Sequence, residues 1–217
     1  IGKMAEVFND YSALQLMAQG KYDGVNFSIV GRLQYKYEGG SWNEWLAALD
    51  DGTTASLSED NGSFVWTPDT PTLLAARRVL PQPAQWVLGQ QTVMDGRPFS
   101  VGSVQEVSLM AAQGELPKLP PLGQKFFIVE LRSEQGEVLS VDYSTSPPSL
   151  ALGRAVNLEA LQLTGLRDLT NTKGQGDKDI KARQFNCPQC ASTIDIKLAG
   201  SKSITCPACH SLIDLSH

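Results

Sequence analysis

Apolar and polar residues alternate along FSIVGRLQYKY, residues 27–37. Phe27, Ile29, Gly31, Leu33, Tyr35 and Tyr37 fall on one parity; Ser28, Arg32, Gln34 and Lys36 fall on the other. A period of two over that length predicts a half-buried β-strand. The chain continues through EGGS, WNEWLAALD, DDG, TTASLSE, DNG and SFVWT. Asp-Gly and Asn-Gly between alternating runs are hairpin signals, because tight turns there need positive φ. The pattern predicts an antiparallel meander of about four strands. TPTLLAARRVL predicts a short helix with Thr70 as N-cap and Pro71 in its first turn, and LPQPAQ reads as a linker.

The same pattern returns further on. LMAQGKYDGVNFSIVG at 16–31 resembles LGQQTVMDGRPFSVGS at 88–103, with Asp23-Gly24 matching Asp95-Gly96 and Phe27-Ser28-Ile29 matching Phe99-Ser100-Val101. LAALDDGTTASLSED resembles IVELRSEQGEVLSVDYS in its strand–Gly–strand layout, and the second copy carries an insert, GELPKLPPLGQ. This implies two tandem β modules with a shared strand order; two unrelated meanders using the same turn chemistry would differ in that order. The predicted fold is mainly β: two small antiparallel modules, meander or barrel-like, followed by a C-terminal zinc ribbon. The boundaries are 1–70 for the first module, 71–85 for a linker with the short helix, 86–169 for the second module, 170–184 for a polar linker and 185–217 for the ribbon.

The stretch WNEW places Trp42, Asn43, Glu44 and Trp45 beside a turn. Strand geometry sends Trp42 and Trp45 to opposite faces. The expectation is that Trp45, Ala47 and Leu49 continue the core face of Leu33, Tyr35 and Tyr37. Trp42, Glu44 and Leu46 then form the other face, where Glu44 pairs with Arg32 or Lys36 or accepts from turn amides. Trp42, Asn43 and Glu44 are therefore the candidate binding surface, weighed against a purely structural role.

Cysteine usage changes the picture at the C-terminus. All four cysteines lie in CPQCASTIDIKLAGSKSITCPAC, a C-x2-C-x15-C-x2-C spacing. Two such knuckles separated by a hairpin predict one Zn²⁺ held by Cys187, Cys190, Cys206 and Cys209. Four thiolates saturate the ion, so the predicted zinc is structural and leaves no position for a reacting water. His210 directly follows a ligand and reads as a bystander. So small an apolar set would not fold without the metal.

Composition narrows the function classes. The net charge is −5 and the pI about 5.1, which disfavours broad phosphate-backbone binding. No apolar run approaches the roughly 18 residues of a membrane span. The start at Ile1 lacks a basic-then-apolar leader and reads as a piece of a longer protein, with a cytoplasmic location, peripheral to a membrane at most. No Cys or His precedes Cys187, which removes Cys nucleophiles and His bases from the body of the chain. The favoured reading is a non-enzymatic module that binds protein partners. The alternatives are a nucleic-acid-binding ribbon and a carboxylate enzyme using Glu44 with Asp50, Asp51, Glu59 or Asp60. Against the first stand Asp177 and Asp179 beside Lys173, Lys178, Lys181 and Arg183; against the second, the placement of those acids in turn motifs.

GRLQYKYEGGSWNEWLAALDDGTTASLSEDNGSF resembles the bacterial family known as domain of unknown function 4178: a Gly-Arg strand, then W-N-E-W, an acidic-Gly turn and a Leu-Ser strand end. GELP at 114–117 and the stretch 139–163 are similar to that family's second module. The resemblance implies an appended zinc ribbon, membrane-linked assemblies of bacterial stress operons, and no established activity. Two departures stand out. Ala191 and His210 occupy positions after the second knuckle cysteine where Gly is usual, and Met17 and Ala18 stand where a Gly is expected.

Overall fold

The computed structural model describes residues 12–70, 80–116, 119–167, 183–196 and 203–214. Five strands come from the first repeat: β1 (Gln19–Tyr22), β2 (Val25–Tyr37), β3 (Gly40–Leu49), β4 (Thr54–Asp60) and β5 (Ser63–Pro68). Five come from the second: β6 (Gln91–Met94), β7 (Arg97–Gly114), β8 (Lys125–Arg132), β9 (Glu137–Asp142) and β10 (Ser149–Val156). Asp23, Asn61 and Asp95 hold φ of 52°, 46° and 49°, each followed by a positive-φ Gly, as two-residue hairpin turns require. The helix expected from Thr70 falls on 71–79, outside the described residues, and the following linker contains one 3-10 turn, Pro83–Gln85.

The two repeats do not fold apart. Each is a meander, and the last strands of the two pair, β5 with β10, while β2 also pairs with β7. The eight strands β2, β3, β4, β5, β10, β9, β8 and β7 therefore close into one antiparallel barrel, with β1 and β6 as flanking hairpin arms. Each seam joins equivalent strands, so the halves are related by an approximate twofold axis. At the β2–β7 seam Gly31 lies opposite Gly114; a Cβ on either would strike the backbone carbonyl of Glu115 or Val30. Closure leaves no long free edge, which an open sheet of this length would expose.

The equivalence extends to irregularities. β2 carries a bulge between Ile29 and Gly31, and β7 carries one between Val101 and Ser103. Met17 donates its N–H to Ile29 O at 2.8 Å, and Gly89 donates to Val101 O at 2.8 Å. Both sit in the left-handed region, φ 68° for Met17 and 77° for Gly89. Met17 is thus the missing glycine of the first repeat, and its side chain is 71% exposed. Met17→Gly should raise stability by about 0.5–1 kcal/mol, since the left-handed penalty of a Cβ exceeds glycine's entropy cost. Thermal unfolding of the pair checks this.

The β2 bulge also corrects the expected faces. Phe27 and Ile29 share a face with Ala47 and Trp45. Past the bulge, Arg32 lies opposite Trp45, whereas Leu33 faces Glu44 and Tyr35 faces Trp42. Leu33, Tyr35 and Tyr37 therefore sit with Trp42, Glu44 and Leu46, not with Trp45. An inserted residue reverses parity for the rest of a strand.

Three apolar clusters follow from these faces. Phe27, Ile29, Trp45, Leu57 and Trp66 form one on the outer face, covered by Leu14 and Leu161. Phe99, Val101, Val129, Leu131, Leu139 and Val141 form its counterpart, against which Trp86 packs. Leu33, Tyr35, Val107, Leu109 and Phe126 form the third, on the inner face along the β2–β7 seam. The ends of the barrel lie side by side: Gln19 and Thr164 exchange backbone hydrogen bonds, and Arg167 donates to Ala13 O at 2.7 Å. Past the barrel, β11 (Arg183–Asn186) pairs with β12 (Thr193–Ile196), and β13 (Ser203–Thr205) with β14 (Leu212–Asp214).

Candidate metal centre and barrel interior

Each cysteine pair sits on a turn that follows a strand: Cys187 and Cys190 after β11, Cys206 and Cys209 after β13. The sequences CPQCAS and CPACHS fold alike. Cys187 N–H donates to Ser192 O at 2.8 Å and Ala191 N–H to Cys187 O at 2.8 Å; Cys206 and His210 repeat this with Ser211 O and Cys206 O, both at 2.9 Å. Ala191 and His210 hold φ of 59° and 60°, the conformation that glycine usually supplies. The departures noted in the sequence thus carry backbone strain but do not change the turn.

The four Sγ atoms all lie within 4.8 Å of one another. Cys187 Sγ is 3.6 Å from Cys209 Sγ, and Cys190 Sγ is 3.6 Å from Cys206 Sγ. A tetrahedron with metal–sulfur bonds of about 2.3 Å has edges of about 3.8 Å, so the set fits a metal ion and is compatible with zinc. Four cysteines fill the tetrahedron and would supply structural cross-linking. Gln189 N–H donates to Cys187 Sγ at 3.4 Å. Ser192 and Ser211 lower the pKa of Cys190 and Cys209 through hydrogen bonds, whereas burial raises that of Cys187.

The four residues of WNEW divide between the two faces of the barrel wall. Trp42 stacks on Tyr35, with ring centroids 4.8 Å apart, on the inner face. Trp45, 1% exposed, lies in the outer cluster, with the Arg32 guanidinium 4.6 Å above its ring. Asn43 is buried at the centre of a polar network on that outer face. Its Oδ1 accepts from Arg32 Nη2 at 2.8 Å and Gln34 Nε2 at 3.2 Å, and its Nδ2 donates to Glu59 Oε2 at 3.3 Å. Glu59 Oε2 also accepts from Trp45 Nε1 at 2.8 Å and Ser12 Oγ at 2.7 Å. The network was not foreseen, although Gly31 inside a strand pattern was its signal, since an internal glycine often marks a bulge. Glu44 has Arg32 on the wrong face, which excludes the pairing expected from simple alternation.

Glu44 instead accepts from Ser56 inside the barrel; burial raises its pKa, the Ser56 hydrogen bond opposes the rise, and the charge of Asp142 of β9 adds to it. β3 and β9 are four strands apart in either direction, about 19 Å along the sheet. Their charges meet only across the interior. Asp60 of β4 and Glu130 of β8 are opposed in the same way: burial and Glu130 raise the Asp60 pKa, and a hydrogen bond from Tyr37 opposes the rise. Burial, with the charges of Glu44 and Asp142, likewise raises the Tyr35 pKa. Of the acids weighed as partners for Glu44, Asp50 and Asp51 lie in the β3–β4 turn, where Asp51 binds Thr53, and Glu59 points outward. Asp60 shares the inner face; Asp142 and Glu130 were missed because their strands become neighbours of β3 and β4 only through closure.

A carboxyl whose folded pKa is raised binds more protons in the native than in the unfolded state. Stability then falls as pH rises from the ordinary glutamate value through the raised one, and is flat beyond it. Glu44→Gln should flatten that fall and leave the neutral-pH protein at least as stable; melting temperatures from pH 4 to 8 test it.

Among the described residues no helix is long and apolar enough to cross a membrane. A family model with the description domain of unknown function (DUF4178) matches residues 17–158, both halves of the barrel but not the cysteine turns. No curated protein and no solved structure matches the chain.

Proposed function

We propose that the chain, which belongs to the DUF4178 family, is a non-enzymatic protein-interaction module of the bacterial cytoplasm. In this reading it is stiffened by a structural zinc ribbon and works beside a membrane-linked assembly. The observation that carries the reading is the pair Val87 and Leu88, 61% and 67% exposed at the base of the β6 arm. Two adjacent large apolar side chains left in solvent support a contact surface at this place. Two further features support it. The cluster of four cysteines has the ligand count of a structural ion. The most conspicuous motif, WNEW, spends its side chains on packing and on the barrel's own polar networks.

The test is capture of partners by the tagged full-length protein in its native cell, with wild type compared with a Val87→Ser, Leu88→Ser double variant. The reading predicts a partner that cross-links near 87–93 and is lost in the variant at unchanged melting temperature. Retention of the same partner by the variant refutes the surface. Binding of mixed DNA or RNA that weakens steeply with salt would favour the nucleic-acid reading instead.

A further inference from the structure

We infer that the ribbon is seated on one end of the barrel by its first knuckle, as a cap on the β2–β3 turn whose seating depends on the metal. The β2–β3 turn is a solvent feature by sequence, with Glu38, Gly39 and Ser41 exposed, yet Gly40 between them is buried. What covers it comes from the knuckle. A Cβ on Gly40 would lie 2.8 Å from Gln189 Oε1 and 3.3 Å from Gln189 Cδ. Beside it, Ser41 Oγ donates to Pro188 O at 3.5 Å. Pro188 and Gln189 are the two residues between Cys187 and Cys190, so the contact is made by the metal-binding turn itself.

The shape of both partners follows from this contact. Gly40 is not in the left-handed region, so no backbone demand calls for glycine there; the absent side chain leaves room for the Gln189 amide. On the ribbon, the Gln189 N–H is directed to Cys187 Sγ, which fixes the residue that touches the barrel to a ligand sulfur. A metal that holds Cys187 and Cys190 together fixes the turn between them, and its loss frees both contacting residues. The capped end is where Tyr37 meets Asp60 and where the Tyr37 ring lies 5.8 Å from that of Trp42.

The test uses the full chain, ¹⁵N-labelled, loaded with Zn²⁺ or with paramagnetic Co²⁺, which takes the same thiolate site. The amides of Gly40 and Ser41 should show pseudocontact shifts well above those of Gly52 and Gly136, turns elsewhere on the barrel. Gly40→Val and Gln189→Ala should each abolish the shifts at 40–41 and preserve those within 203–214. Two variants are used because the valine also crowds Tyr37, whereas Gln189→Ala leaves every barrel residue unchanged. Shifts confined to the ribbon in the wild type would overturn the inference. So would shifts at 40–41 that persist in Gln189→Ala, or a chain that takes up no Co²⁺.

Discussion

Trp45→Ala should destabilise the barrel by about 3–5 kcal/mol, the cost of truncating a large aromatic in a core. Trp45 is 1% exposed and packed among Phe27, Ile29, Leu57 and Trp66. Its indole N–H also donates to Glu59, and its ring lies beneath the Arg32 guanidinium. Truncation opens a cavity and removes one donor from a carboxylate that also serves Asn43 and Ser12. Trp45→Phe keeps most of the packing and loses the donor, so it should fall between wild type and Ala. Urea unfolding of the three proteins measures the series. A loss below about 1 kcal/mol for Trp45→Ala would mean that the outer cluster is not a core.

Removal of the metal should have the other large effect, confined to one part of the chain. Zinc binding by four cysteines in small modules is worth about 10–16 kcal/mol of apparent folding free energy near pH 7. The four sulfurs join two separate two-stranded sheets, and among the described residues the buried cluster around them holds Ile194 and Ile213 besides the cysteines. Cys206→Ser, or a strong chelator, should therefore abolish amide protection in 183–196 and 203–214 and leave protection in β2–β5 and β7–β10 intact. Cys206 is fully buried in the cluster, so serine there leaves a poor ligand with no room for a substitute. Hydrogen exchange read by mass spectrometry separates the segments. Elemental analysis showing no zinc in carefully purified protein would defeat the expectation at its first step.

Local chemistry was legible in the sequence and closure was not. Asp-Gly and Asn-Gly marked turns because the backbone there needs positive φ, a requirement a few residues can reveal. The repeat was legible for the same reason, since its clearest match is the hairpin at Asp23-Gly24 and Asp95-Gly96. The cysteine spacing revealed its cluster because both knuckles are local turns. Long-range pairing carries no such mark. Nothing in β2 announces that its second half pairs with β7, so the two modules read as separate domains. The bulge at Val30 inserts one residue where an apolar side chain stands on the polar parity, and alternation carried across it placed Tyr35 on the wrong face. Met17 shows the converse: its departure from glycine was visible, and its left-handed backbone explains why glycine was expected.

The adjacency of the barrel's two ends has an architectural consequence. With Ala13 hydrogen-bonded to Arg167 and Gln19 to Thr164, the polypeptide enters and leaves at one corner. Such a unit can be spliced into a surface loop of a host protein without forcing the flanking segments apart. It can also be rewired. In the barrel alone, a short peptide joining its old ends, with new ones cut at the exposed Asp51-Gly52 turn, should give a circular permutant with every barrel strand pairing preserved.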